Sequence, residues 1–245
     1  MRKHDKAICI SLFMLILAIA FIQGFRWFPF NDIEEINYGE ASTRTIRELS
    51  SSLLYRNYFS VSKTKLTKSL ESLSYVDRAS NEFKDGVLYL HVEMPSQALI
   101  LKDSEGAFLW DGETLRSFGL NDYSDLAARY LTIEIDDDYL NYLNRYGMEG
   151  KFESLAGSLF DLGDYSALIS KAEYDNNNYT GTGKLTLFLD QLNAELSLSD
   201  IQSIARLEDS LEAIEREVGK NPIKALNEPK ALYELRLSEL VRIKR

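Results

Sequence analysis

The chain has 245 residues, of which 45% are hydrophobic and 11% aromatic, so it is long and apolar enough for two modest domains with real cores. A formal net charge of −10 argues against nucleic acid as a partner, because phosphate binding requires concentrated lysine and arginine. The same charge argues against a broad electrostatic hold on anionic lipid. The single cysteine, Cys9, excludes an internal disulfide in the rest of the chain.

An uninterrupted apolar run extends from Ala7 to Phe25 and contains no charged residue. A helix of about 19 residues is about 28 Å long, close to the hydrocarbon thickness of a bilayer. The head, residues 1–6, is basic and the far flank is acidic, so the positive-inside rule predicts a cytoplasmic amino terminus. The sequence thus predicts a transmembrane helix over residues 7–25 and an extracytoplasmic body. A signal peptide cleaved after Ala18-Ile19-Ala20 is the alternative.

The pattern over residues 33–96 predicts a small α+β module. A short strand that begins near Ile33 is followed by an amphipathic helix from about Ser42 to Arg56, and a second helix is capped by Ser62. Two strands follow, joined by the turn Lys84-Asp85-Gly86, and the second of them alternates apolar and polar residues. The predicted order is strand, helix, helix, strand, strand.

Residues 97–245 are rich in strand patterns. The predicted elements are strands in QALILKD, AFLWD and LTIEI, helices over Tyr139–Tyr146 and Lys151–Phe160, a strand over Tyr165–Tyr174, a hairpin formed by KLTLFLD and LNAELSLS, a helix from Ser199 or Asp200 to Gly219, and one final strand over residues 231–245. Apolar residues recur every three or four positions in the last helix, which predicts packing on its own sheet. A coiled-coil dimer is the alternative.

Three short motifs and the order of elements carry a resemblance to a known family. The motifs are Leu73-Ser74-Tyr75-Val76, Val92-Glu93-Met94-Pro95-Ser96-Gln97-Ala98 and Leu109-Trp110-Asp111. Behind a single amino-terminal apolar helix, they resemble the FtsQ family of bacterial cell-division proteins, called DivIB in Gram-positive bacteria. The resemblance implies an α+β fold with a POTRA domain over 33–96 and a β domain over 97–245.

The resemblance also implies a function. Proteins of this family are non-enzymatic adaptors of the cytoplasmic membrane at the division septum, with their bulk in the periplasm or outside the cell. The end of their β domain receives a segment of the single-span protein FtsB, which pairs with FtsL. The matching stretch here is Tyr233 to Ile243, and the partner-binding residues that it implies are Tyr233, Leu235, Arg236, Leu237, Val241, Arg242 and Ile243.

The residues themselves support a docking edge at the carboxyl terminus. A final strand that lies outermost in its sheet offers unpaired N–H and C=O groups to another chain. Arg236, Arg242, Lys244 and Arg245 make this end locally basic, which favours an acidic partner segment. Protection of the edge against aggregation is the alternative role for these charges.

Side chains suited to catalysis or metal binding are scarce. The two histidines are His4 in the head and His91 on the polar face of a strand, so a nucleophile with a histidine base is not expected. Asp136-Asp137-Asp138 lacks the glycine and distal glutamate of an EF-hand and predicts a solvated loop. Gly181-Thr182-Gly183 precedes a strand and predicts a hairpin turn rather than a phosphate loop.

We therefore expect no catalytic residues, no cofactor, no metal and no small-molecule substrate. Two other function classes remain open from the sequence. One is a membrane-anchored POTRA adaptor for another envelope process, such as secretion. The other is a cell-wall enzyme that uses paired carboxylates.

Overall fold

A computed structural model describes residues 11–19, 35–39, 42–54, 56, 60–148, 150–177, 182–199, 206–220, 228–236 and 239–243. The chain divides into two compact units. The first consists of Met1–Ser72 and Arg78–Glu93, and the second of Leu73–Asp77 and Met94–Arg245.

The predicted transmembrane helix over residues 7–25 is wrong in the structure. The helix described there, α1, covers residues 11–19, so it is about 14 Å long against the roughly 30 Å of a hydrocarbon core. Its side chains are exposed, for example Leu12 at 57%. Among the described residues, no helix combines the length and apolar character needed to cross a bilayer. The head 1–6 and residues 7–10 and 20–25 of the predicted helix lie outside the described part.

The first unit contains a three-stranded sheet and two helices. In chain order the elements are β1 Glu35–Asn37, α2 Arg44–Ser51, α3 Lys63–Glu71, β2 Arg78–Lys84 and β3 Val87–Glu93. The strand order is β1-β3-β2, with β1 parallel and β2 antiparallel to β3. The order strand, helix, helix, strand, strand predicted for this stretch is confirmed.

Local chemistry explains where these elements begin and turn. The Ser62 side chain accepts a hydrogen bond from the Lys65 N–H and so caps α3, as predicted. Asp85 and Gly86 have φ values of 54° and 83°, the conformation that a two-residue hairpin turn requires. Gly86 occupies one of these two positions, and a positive φ carries no steric cost for glycine.

The second unit is built on a nine-stranded mixed sheet. Its strands are β4 Leu99–Lys102, β5 Ala107–Trp110, β6 Leu115–Phe118, β7 Leu131–Ile135, β8 Lys171–Asn177, β9 Thr182–Leu189, β10 Ala194–Ser199, β11 Ala231–Arg236 and β12 Glu239–Ile243. Their order in the sheet is β12-β11-β10-β9-β8-β7-β4-β5-β6. The helices are α4 Tyr123–Ala127, α5 Asp137–Tyr146, α6 Gly150–Ser158 and α7 Leu207–Gly219, with 3-10 helices at Leu120–Asp122, Phe160–Leu168 and Asp190–Leu192.

One face of this sheet forms the main core with α5, α6 and α7. Alternate side chains of the central strands point to that face, including Leu187 of β9 and Leu196 of β10, which are paired in register. On α7, Leu207, Leu211 and Ile214 are buried in the same core. The prediction that this helix packs on its own sheet, rather than in a coiled-coil dimer, is confirmed for its described part. Of the two predicted starting residues, Ser199 is the last residue of β10, and Asp200 lies outside the described part.

Two predicted strands differ from the structure. The strand expected over Tyr165–Tyr174 is wrong in its first part, which belongs to the 3-10 helix Phe160–Leu168, and right in residues 171–174, which belong to β8. The single strand expected over 231–245 is instead the antiparallel hairpin of β11 and β12, with Arg236 opposite Glu239. The alternation of apolar residues continues through both strands, so periodicity alone did not reveal the reversal of the chain.

Candidate functional site

The last strand, β12, lies at one end of the nine-stranded sheet. It pairs with β11 on its inner side, from Leu232↔Ile243 to Arg236↔Glu239. On its outer side, no further strand is present among the described residues. Backbone N–H and C=O groups that point outward from such an edge can pair with a strand from another chain.

The hairpin separates the predicted partner-binding residues into two groups. Tyr233 and Leu235 lie in β11, between β10 and β12, and are only 3% and 1% exposed, so they belong to the core. Arg236 ends β11, and Leu237 lies outside the described residues. The remaining three, Val241, Arg242 and Ile243, lie in β12 at the open edge.

The register also decides which face of the sheet each edge residue occupies. Ile243 and Val241 stand opposite Leu232 and Glu234, on the face away from the helices, and Ile243 is 40% exposed. Arg242 stands opposite Tyr233, on the same face as α7. Successive side chains of an added strand would therefore lie alternately beside Val241 and Ile243 on one face of the sheet and beside Arg242 on the other.

The charge of Arg242 is already compensated within the chain. Its Nη1 donates a hydrogen bond to Oε1 of Glu217, on α7, at 2.6 Å, and its guanidinium lies 5.9 Å from the centre of the Tyr233 ring. Arg242 therefore gives less support to an acidic partner than the sequence suggested. Lys244 and Arg245, which shared in that prediction, lie outside the described residues.

The Tyr233 hydroxyl lies in the same group of side chains. Burial raises the pKa of Tyr233 to about 12, and the negative charge of Glu217 acts in the same direction, while Arg242 acts in the opposite direction. The Tyr233 hydroxyl is therefore protonated at physiological pH. Sequence reasoning missed Glu217, because it is one of several acidic residues on the polar face of α7 and no local signal distinguishes it.

A cleft of about 240 Å³ opens beside this group, between the end of α7 and the last two strands. Its lining contains both negative side chains, Glu217 and Glu228, and positive ones, Lys220 and Arg242. Water therefore reaches the Arg242–Glu217 pair, which limits its strength.

Side chains that could bind a metal do not cluster among the described residues. No group of three or more histidine, cysteine, aspartate or glutamate side chains there could hold a metal ion. Asp136 precedes α5, and Asp137 and Asp138 form its first turn, so the predicted solvated loop is wrong. Hydrogen bonds from Ser104 lower the pKa of Asp137, which is opposite to the shift of a carboxylic general acid.

Gly181-Thr182-Gly183 is also placed differently from its prediction as a turn. Thr182 and Gly183 belong to β9, and Gly181 lies outside the described residues. Gly183 is in register with Asn176 of β8, and its missing side chain leaves room for Tyr174 to lie against the strand. The glycine therefore serves core packing.

Compared with known proteins, the chain matches no protein-family model, and no curated protein sequence matches it either.

Proposed function

We propose that this protein is a non-enzymatic adaptor of the bacterial division machinery that captures partner chains by strand addition at β12. The observation that carries the proposal is the outer edge of β12, the strand at the end of the large sheet, which no other strand covers in the part of the chain that the structure describes. The resemblance to FtsQ and DivIB supplies the partners: single-span division proteins that resemble FtsB and FtsL, met at the division septum. On the same resemblance, the first unit contributes to recruitment as a POTRA domain.

The physical basis is the hydrogen-bonding capacity of an edge strand. In an antiparallel pair, the N–H and C=O of successive residues point alternately toward the neighbouring strand and away from it. The five residues of β12 therefore offer two or three outward-pointing residues to a partner. Each backbone hydrogen bond contributes about 0.5–1.5 kcal/mol net, and coverage of Ile243 and Val241 adds apolar burial.

The same alternation provides a test that does not depend on side-chain chemistry. Proline has no N–H, so it disrupts a ladder only on the side to which the replaced N–H pointed. In Leu240→Pro and Val241→Pro, one N–H faces β11 and the other faces outward. Because the two positions are adjacent, we expect the variant whose N–H faces β11 to lose more thermal stability than the other, beyond the packing that Leu240→Pro removes.

The stable proline variant is the informative one. It should fail to bind a soluble segment of the FtsB-like protein from the same organism in a titration against the full chain, whereas wild type binds. Ser117→Pro, in the edge strand at the opposite end of the sheet, serves as a control that leaves β12 intact. If the stable β12 variant binds as tightly as wild type, strand addition at this edge is wrong.

A further inference from the structure

One carboxylate of α7 lies beside side chains of both of the last two strands. Glu217 accepts a hydrogen bond from Arg242 of β12. The Arg242 guanidinium also lies over the ring of Tyr233 of β11. The negative charge of Glu217 contributes to the raised pKa of the buried Tyr233 hydroxyl, and all three side chains line the same cleft.

The other described side chains of β12, those of Leu240, Val241 and Ile243, are only weakly attached. Leu240 is partly buried and packs against the core of the second unit, opposite Leu235. Val241 is half-buried on the opposite face, and Ile243 is exposed there. A five-residue edge strand with so little apolar burial belongs to the part of a fold that opens first in local unfolding.

We propose that Glu217 is a positioning residue that holds β12 on β11 and so keeps the outer edge of β12 ordered for strand addition. The consequence for binding rests on the proposed function, but the attachment itself is a property of the free chain. With β12 held in place, only the incoming strand loses conformational entropy on binding. When β12 detaches from β11, a smaller fraction of the molecules can bind the partner strand. The apparent affinity for the partner then falls by the same factor.

The geometry limits the size of the effect. Both side chains of the pair are nearly half exposed, at 49% for Arg242 and 44% for Glu217, and Lys220 and Glu228 line the same cleft. Exposed ion pairs of this kind change an equilibrium by about 1.4-fold to 5-fold. Removal of the charge should therefore loosen β12 measurably while the rest of the second unit stays folded.

Hydrogen–deuterium exchange of the full chain tests the attachment directly. In Glu217→Gln the side chain keeps its shape, but it loses the charge that pairs with Arg242. We expect amides of residues 239–243 to exchange about 1.4-fold to 5-fold faster, with no change in β8 to β10. The reversed pair Glu217→Arg with Arg242→Glu should restore the wild-type rate.

A matched control is available on the same helix. Glu212 pairs with Arg216 within α7 itself, so Glu212→Gln removes a similar charge without touching β12. This variant should leave the exchange of residues 239–243 unchanged. Wild-type exchange in Glu217→Gln overturns the inference, as does faster exchange spread evenly over the second unit.

A binding measurement separates the inference from the proposed function. The probe is the soluble segment of the FtsB-like protein, titrated against the wild-type chain and Glu217→Gln. Weaker binding by the factor seen in exchange supports the role of Glu217 in docking, and unchanged binding overturns that role. If wild type does not bind while exchange still responds to Glu217→Gln, the proposed function fails and the attachment of β12 stands.

Discussion

Gly183 allows a sharp test of how the core of the second unit is packed. A Cβ atom built at this position would overlap the hydroxyl of Tyr174, and even the ring carbon Cε2 would be only 2.5 Å away. The Tyr174 ring has little freedom to move, because it is 4% exposed and lies 4.5 Å from the Phe152 ring and 5.7 Å from the Tyr139 ring, measured between centroids. Gly183→Ala must therefore displace a buried aromatic side chain.

The expected magnitude follows from two opposing terms. Overpacking of a core costs about 1–3 kcal/mol, and replacing glycine by alanine recovers about 0.4–1 kcal/mol from the unfolded chain. The net loss is up to about 2.6 kcal/mol, which corresponds to a fall of up to about 10 °C in the melting temperature of a domain of this size. Thermal unfolding followed by circular dichroism measures it.

The matched control is Gly157, inside α6, where an added Cβ would meet no atom within 4 Å. Gly157→Ala should stabilise the helix by about 0.5–1 kcal/mol and raise the melting temperature. The two identical substitutions are thus expected to differ in sign. If Gly183→Ala melts at or above the wild-type temperature, the placement of Tyr174 against β9 is wrong.

Two further predictions concern the same unit. Because the pKa of Tyr233 is raised from 10.0 to about 12 in the fold, its contribution to stability is complete below pH 10 and is lost as the pH rises toward 12, by about 2–3 kcal/mol. Between pH 9 and pH 11, the urea midpoint should therefore fall further in wild type than in Tyr233→Phe. An equal fall in the two proteins would contradict the raised pKa. Leu211 is fully buried on α7, so Leu211→Ala should cost about 2–5 kcal/mol, and Leu211→Asp should abolish the folded second unit by burying an unpaired charge. An unchanged urea midpoint in either variant would show that α7 is not packed as described.

Most elements of the two units could be predicted from local patterns. Ser62 is a helix cap, Asp85-Gly86 is a turn that needs positive φ, and Leu207, Leu211 and Ile214 form one face of a helix. Each of these signals lies within a few residues of sequence. The predicted elements occur in the structure because caps, turns and helix faces depend on the backbone geometry and burial of neighbouring residues. Length was less predictable: the apolar run 7–25 contains a described helix of residues 11–19 only.

The sequence by itself determined the α+β composition and the scarcity of groups suited to catalysis, since both depend on residue type and spacing. Only the tertiary structure decided the form of the candidate docking edge. The alternation over 231–243 is the same for one long strand and for a hairpin, yet the hairpin moves Tyr233 and Leu235 into the core and leaves Val241, Arg242 and Ile243 outermost. Likewise, Glu217 meets Arg242 across 25 residues of chain, and no local pattern encodes a contact that arises when a helix packs on a distant strand.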